Sequence, residues 1–218
     1  MIYTINEPNE LLEFIESNIK PKEIEKKIRG EVFTHMKLVN EMLDKLPKNV
    51  WKNKNLKWLD PATGIGNFSI AIYMKLMDGL KNVINDIERR KKHILENMLY
   101  MVEINEQNCN MIKIIFCENT YKLNLFEGSF LDYKTNLMFD IVVGNPPFQN
   151  TSSEGERKAL NHNLWSVFIN ETFKIINTNG YLLFITPISW MSPTSNNKDV
   201  FYNHYIVFLN IKECEKYF

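Results

Sequence analysis

The apolar positions of the chain change period part-way along. Near the start, Leu11, Leu12, Phe14, Ile15 and Ile19 recur at helical spacing, with Pro8 before them and Pro21 after. Residues 22–29 have the composition of a second short helix, stopped by Gly30. An extended piece follows. Thr34 is then placed as a helix N-cap, ahead of a helix with Met36, Val39, Met42, Leu43 and Leu46 on its apolar face, and Pro47 ends it. From Leu56 onward, short apolar runs alternate with helical stripes. Strands are predicted at 56–60, 98–104, 121–128, 139–144, 181–187 and 205–211. Helices are predicted from Asn67, over 106–116 and over 164–177. Strands that alternate with helices and are apolar on both faces imply an α/β fold, with a doubly wound, mostly parallel sheet covered on both sides. Residues 80–97 and 149–163 read as surface segments, the second polar enough to move.

At 218 residues the chain suits one well-cored domain with a small helical appendage, and 44% hydrophobic content is that of an ordinary globular protein. No run approaches 18 apolar residues and no basic segment leads into an apolar one, so neither a membrane span nor a secretory signal is expected. A cytoplasmic location follows as the expectation. Three cysteines without CxxC spacing predict neither a disulfide framework nor a zinc site, and no metal is called for. Lys+Arg and Asp+Glu balance at 26 each, so net charge gives no global support for nucleic-acid binding. The densest positive run, ERRKKH at 88–93, reads as a solvated loop or helix face.

Chemistry gathers at two strand ends. In LDPATGIGNF, Asp60 closes a strand, Gly64 and Gly66 permit close backbone approach, and a helix begins near Asn67. Taken alone, such a loop is equally a structural turn. Glu103, at the end of the next strand, suits bidentate hydrogen bonding to a ribose diol, although by itself it reads as a surface carboxylate. The third glycine of the dinucleotide fingerprint is missing, which favours a smaller nucleoside ligand over NAD or FAD.

The second strand end is DIVVGNPPFQN, residues 140–150. Asn145 and Pro146 each precede a proline and are pushed towards extended conformations, while the prolines have fixed φ and no N–H. The loop is therefore stiff and cannot extend a sheet ladder. It presents the Asn145 amide oxygen and the Pro146 main-chain oxygen as two preset acceptors, with Phe148 as a flat face beside them. Two acceptors and an aromatic ring suit a planar base bearing an exocyclic NH2 group.

Asn145-Pro146-Pro147-Phe148 resembles the NPP[FYW] motif of amino-group methyltransferases that use S-adenosylmethionine, and LDPATGIGNF resembles their cofactor loop. GEVFTHMKLVNEML, residues 30–43, resembles a third motif that precedes the cofactor loop in the γ arrangement of DNA adenine-N6 methyltransferases; His35 stands where that family usually has proline. The resemblance covers residues 30–218 and implies a Rossmann-like class I methyltransferase fold. By position it places Val32, Phe33 and Thr34 around the methionine part of S-adenosylmethionine, with Asp60, Ala62, Gly64 and Gly66 flanking the cofactor and Glu103 on its ribose. Ser129 stands where the family has an acidic residue bonding the cofactor's adenine, and Phe130 where it has an apolar stacking residue. Asn145, Pro146 and Phe148 become the catalytic set, acting on an adenine flipped out of DNA.

The resemblance also sets expectations about organisation. Residues 1–29 would be a helical extension and 30–218 the methyltransferase domain. The family sheet has seven strands, the last antiparallel; six are predicted here, and the target-recognition domain of the γ arrangement is not found. A second chain or further domain would then supply target recognition, within a modification or restriction–modification system. The same pocket chemistry serves methyltransferases acting on protein glutamine amides or RNA guanine amino groups, and a non-catalytic cofactor-binding subunit is a further alternative. The GEVFT segment favours DNA adenine.

Overall fold

The structure is a computed structural model that describes residues 3–18, 34–148 and 164–187. The expected helix at 22–29, the polar segment 149–163 and the strand at 205–211 lie outside these residues, as do Val32, Phe33 and Cys214.

In chain order the elements are α1 (Pro8–Asn18), α2 (Met36–Leu43), β1 (Trp58–Asp60), α3 (Asn67–Gly79), α4 (Ile87–His93, continued by a wider turn over Ile94–Met98), β2 (Leu99–Glu103), α5 (Glu106–Ile115), β3 (Asn124–Glu127), β4 (Phe139–Gly144), α6 (Leu164–Ile175) and β5 (Ile176–Phe184). The five strands form one sheet in the order β3-β2-β1-β4-β5, parallel throughout. The order reverses between β1 and β4, where Trp58 stands opposite Ile141 and Leu59 opposite Val142. This is the topological switch point, the place where open parallel sheets bind ligands.

Side-chain alternation divides the core in two. Trp58, Leu99, Met101, Ile141 and Val143 face one layer, shared with Ile70 and Ile72 of α3 and Ile112 of α5. Leu59, Val102 and Val142 face the other, against Phe130 and Phe168 of α6. Phe139 joins this second layer although it has the parity of Ile141. The cause is a bulge: the amides of Asp140 and Ile141 both donate to the Lys57 carbonyl, at 2.9 and 3.2 Å. Each fully buried aliphatic side chain of these layers contributes roughly 1.5–3 kcal/mol of transfer free energy.

The N-terminal segment is not peripheral in packing. Ile5, Leu11 and Ile15 are buried in the larger layer, and the Ile5 amide donates to the Ile115 carbonyl at 2.9 Å. Two expectations need correction. Thr34 is not the N-cap of α2: His35 takes that position, without a side-chain cap bond, and the Thr34 side chain is engaged elsewhere. Residues 80–97 are only partly a surface segment. Asp86 caps α4 by accepting from the Arg89 amide, Arg90 turns inward to donate to the Ile84 carbonyl at 2.7 Å, and Ile94 and Leu95 are fully buried. The rest of the ERRKKH run is solvated or half-buried helix, as expected. Its pattern was masked because one inward-turned arginine carries the charge that marks a surface.

Candidate active site

The loop after β1 is held by hydrogen bonds to β2. The Thr63 amide donates to the Val102 carbonyl at 3.0 Å and its hydroxyl donates to the Asp60 carbonyl at 3.0 Å. Gly64 (φ +57°) and Gly66 (φ +104°) adopt conformations that side chains other than glycine rarely reach, and Gly66 is the N-cap of α3. A Cβ added at Gly64 would meet no atom within 4 Å, so the loop leaves open space in front of its backbone.

Two carboxylates bracket this loop. Glu103, only 7% exposed at the end of β2, accepts from the Gly64 amide at 2.7 Å through one oxygen and from the Asn105 amide at 2.7 Å through the other. Asn108 adds a longer contact at 3.5 Å. Asp60, at the end of β1, is completely buried. Burial pushes its carboxyl up to about 7, offset only in part by the Ser69 hydroxyl donating at 3.0 Å and by the Ala62 amide. Room for that carboxyl comes from β4: a Cβ on Gly144 would stand 3.2 Å from Asp60 Oδ1.

One residue beyond Gly144, β4 runs into Asn145-Pro146-Pro147-Phe148. Because β4 is the direct neighbour of β1, this segment and the glycine loop share one end of the sheet. Asn145 is half-buried, and its Nδ2 donates to Thr34 Oγ1 at 3.1 Å. Thr34 in turn accepts at its carbonyl from Asn67 Nδ2, at 2.6 Å. The three motifs therefore meet. Phe148 is partly buried against the larger core layer.

The remaining candidates lie as follows. Ser129 accepts from the Leu131 amide at 3.2 Å and caps the short turn Phe130–Asp132, so its hydroxyl has a local structural use. Phe130 is 4% exposed and packs against Phe168, with ring centroids 5.1 Å apart. Thr63, Asn67, Ser69 and Asn105 also belong to the site framework and were not singled out in the sequence. Only Asn105 carried a local signal, an asparagine before an acidic first helical turn. Burial pushes the Cys109 thiol up to about 11, which leaves it unreactive at neutral pH. Among the described residues no group of three or more His, Cys, Asp or Glu is placed to hold a metal, and no helix is long and apolar enough to cross a membrane.

Residues 72–213 match the profile of the family described as Eco57I restriction-modification methylase, more than half of the chain. The chain belongs to this family. Among proteins, it is similar to an adenine-specific methylase of Mycoplasma pneumoniae described as uncharacterized, 24% identical across 84% of this chain and 63% of that protein. Among solved structures, it resembles a modification subunit of a putative type I restriction enzyme from Vibrio vulnificus, with TM-score 0.60 and 13% identity over 92% of this chain and 43% of the other. It also resembles a putative class I S-adenosylmethionine-dependent methyltransferase from Listeria monocytogenes, with TM-score 0.54 and 16% identity over 91% and 58%. These likenesses show the Rossmann-like methyltransferase fold expected for an Eco57I-family methylase. The chain spans less than two thirds of the length of each of the three.

Proposed function

We propose that this Eco57I-family chain transfers a methyl group from S-adenosylmethionine to the N6 amino group of an adenine flipped out of DNA. The observation that carries this reading is that Asn145-Pro146 and the Gly64–Gly66 loop follow neighbouring strands at the same end of the sheet, with Thr34 bonded to both Asn145 and Asn67. DNA is the proposed partner, with target recognition contributed by a further domain or chain of a restriction–modification system. The place of action would be wherever that DNA lies, in the cytoplasm.

The residues present fit the cofactor. Open space in front of Gly64 admits a ligand against the loop backbone. Glu103 already holds the Gly64 and Asn105 amides, yet a carboxylate has about four lone-pair sites. Glu103 would hold the ribose by sharing this carboxylate among the loop amides, the longer Asn108 contact and a ribose hydroxyl. Val32 and Phe33 would border the methionine part, Asp60, Ala62 and Gly66 would flank it, and Ser129 and Phe130 would meet its adenine. When bound, S-adenosylmethionine supplies an electrophilic methyl group.

The acceptor loop supplies the rest. Asn145 Oδ1 and the Pro146 carbonyl would accept the two N6 hydrogens of the flipped base, while Phe148 stacks on its ring. Accepting both hydrogens draws the nitrogen lone pair out of ring conjugation and aims it along the line of transfer. The proton leaves after the new bond has formed. Positioning of this kind can supply roughly 7–11 kcal/mol in well-oriented cases, and it requires no covalent nucleophile.

The test is transfer of labelled methyl from S-adenosylmethionine to unmethylated DNA, with RNA and protein offered in parallel. Label is expected in DNA adenine, falling by about 10²–10³ in Asn145→Ala, the usual scale for losing one preset polar contact to the reacting group. Label in RNA or protein instead, or in none of them while cofactor still binds, would overturn the assignment.

A further inference from the structure

Resting on that reading, we propose that Thr34 is a positioning residue: its hydroxyl holds the Asn145 amide in the place from which it meets the substrate. The amide of an asparagine is nearly symmetric in shape, and rotation by half a turn about its last torsion exchanges oxygen for NH2 at little steric cost. Only one of the two orientations accepts a hydrogen from an exocyclic amino group. The other points a donor at a donor. A loop built of Pro146 and Pro147 fixes the backbone but leaves the torsions of the Asn145 side chain to be held by other contacts.

Thr34 supplies one such contact. Its Oγ1 accepts from Asn145 Nδ2 at 3.1 Å, across 111 residues of sequence, so the NH2 end is held on the Thr34 side and Oδ1 is turned away from it. The threonine is itself held firmly. It is 6% exposed, and its carbonyl accepts from the side chain of Asn67, the first residue of α3, at 2.6 Å. The segment ahead of α2 thus acts on the acceptor loop through a side-chain hydrogen bond. This differs from the role implied by resemblance, in which Thr34 borders the methionine part of the cofactor. The two roles make opposite predictions for cofactor affinity.

The experiment compares the full chain with Thr34→Val, which keeps the shape and removes the acceptor, and with Thr34→Ser, which restores it. Three quantities are read: kcat for DNA methylation, the Kd of S-adenosylmethionine, and the side-chain amide signal of Asn145 in ¹⁵N–¹H spectra, assigned by its loss in Asn145→Ala. Thr34→Val is expected to lower kcat about tenfold, the scale of one lost hydrogen bond, to leave the cofactor Kd within about twofold, and to move the Asn145 signal. Thr34→Ser should return kcat and signal towards wild type. A weakened cofactor with an unmoved Asn145 signal would overturn the proposal and return Thr34 to the cofactor. If Thr34→Val does not fold, Thr34→Ala and Thr34→Ser carry the same comparison. Wild type that methylates no DNA would overturn the proposed function, while the Asn145 signal would still decide the contact with Thr34.

Discussion

Two aspartates sit on neighbouring strands at opposite ends of the sheet. Asp140, near the start of β4, has donors from the chain on both oxygens: the Lys57 amide at 2.7 Å and the Asn177 side chain at 2.7 Å. These bonds close the bulge that β4 makes against Lys57 and tie the start of β5 to it. Asp60, at the end of β1, is fully buried, and burial pushes it up to about 7 despite the Ser69 hydroxyl and the Ala62 and Ser69 amides. One acid is satisfied by the fold, whereas the other is carried at a cost to it. A buried group that the fold does not fully satisfy marks where the structure has kept capacity for something else. A cavity of ≈ 190 Å³ opens at the amino end of the strands, lined by Asn49, Asn53, Asp140, Thr178 and Tyr181 among others. It is a gap beside the bulge, at the end of a parallel sheet that ligands do not ordinarily use.

The contrast can be broken first at Asp60. Its folded value of about 7 lies above the ordinary 3.8, so the native state holds the proton more tightly than the unfolded chain does. Stability is then greatest below pH 4 on this account, falls as pH rises through 7, and carries the whole cost above that. Asp60→Asn removes the cost, at most about 4 kcal/mol at pH 8, and should leave stability at pH 4 nearly unchanged. Denaturant titrations of both chains across pH 4–8 measure the difference; a gap that does not change with pH would remove the distinction between the two acids. The same variant is expected to bind S-adenosylmethionine more weakly.

Asp140→Ala should act the other way. It strands the Lys57 amide and the Asn177 side chain, costing about 1–3 kcal/mol in urea unfolding, while turnover per folded molecule stays the same. A loss of turnover in the folded fraction would mean that the two sheet ends are coupled. The smallest stability effect is expected at Gly64. Alanine there meets no atom, so only the left-handed backbone is penalised, by about 1–2 kcal/mol. Cofactor affinity should fall by more than the stability loss alone would produce, because the new methyl group occupies the open face. Calorimetric binding set beside thermal unfolding separates the two.

The sequence by itself determined the elements and the candidate residues. Period-2 and helical apolar patterns placed all five described strands, although β1 is shorter than its apolar run, α6 ends two residues early, and β5 begins at Ile176 where the apolar run pointed to Tyr181. Proline geometry made the acceptor loop legible from Asn145 to Phe148, because proline restricts its neighbours whatever the fold. Glycine spacing did the same for Gly64 and Gly66. Tertiary structure alone decided which of these pieces meet. β1 and β4 are adjacent only through a strand order with a long crossover from β3, and Thr34 reaches Asn145 across 111 residues. It also decided that Arg90 turns inward, that Phe130 packs on Phe168, and that Asp60 is the costly acid while Asp140 is not. Periodicity and backbone restriction act between near neighbours and can be read along the chain. Burial and long-range hydrogen bonds depend on which surfaces come together, and that is settled only when the sheet assembles.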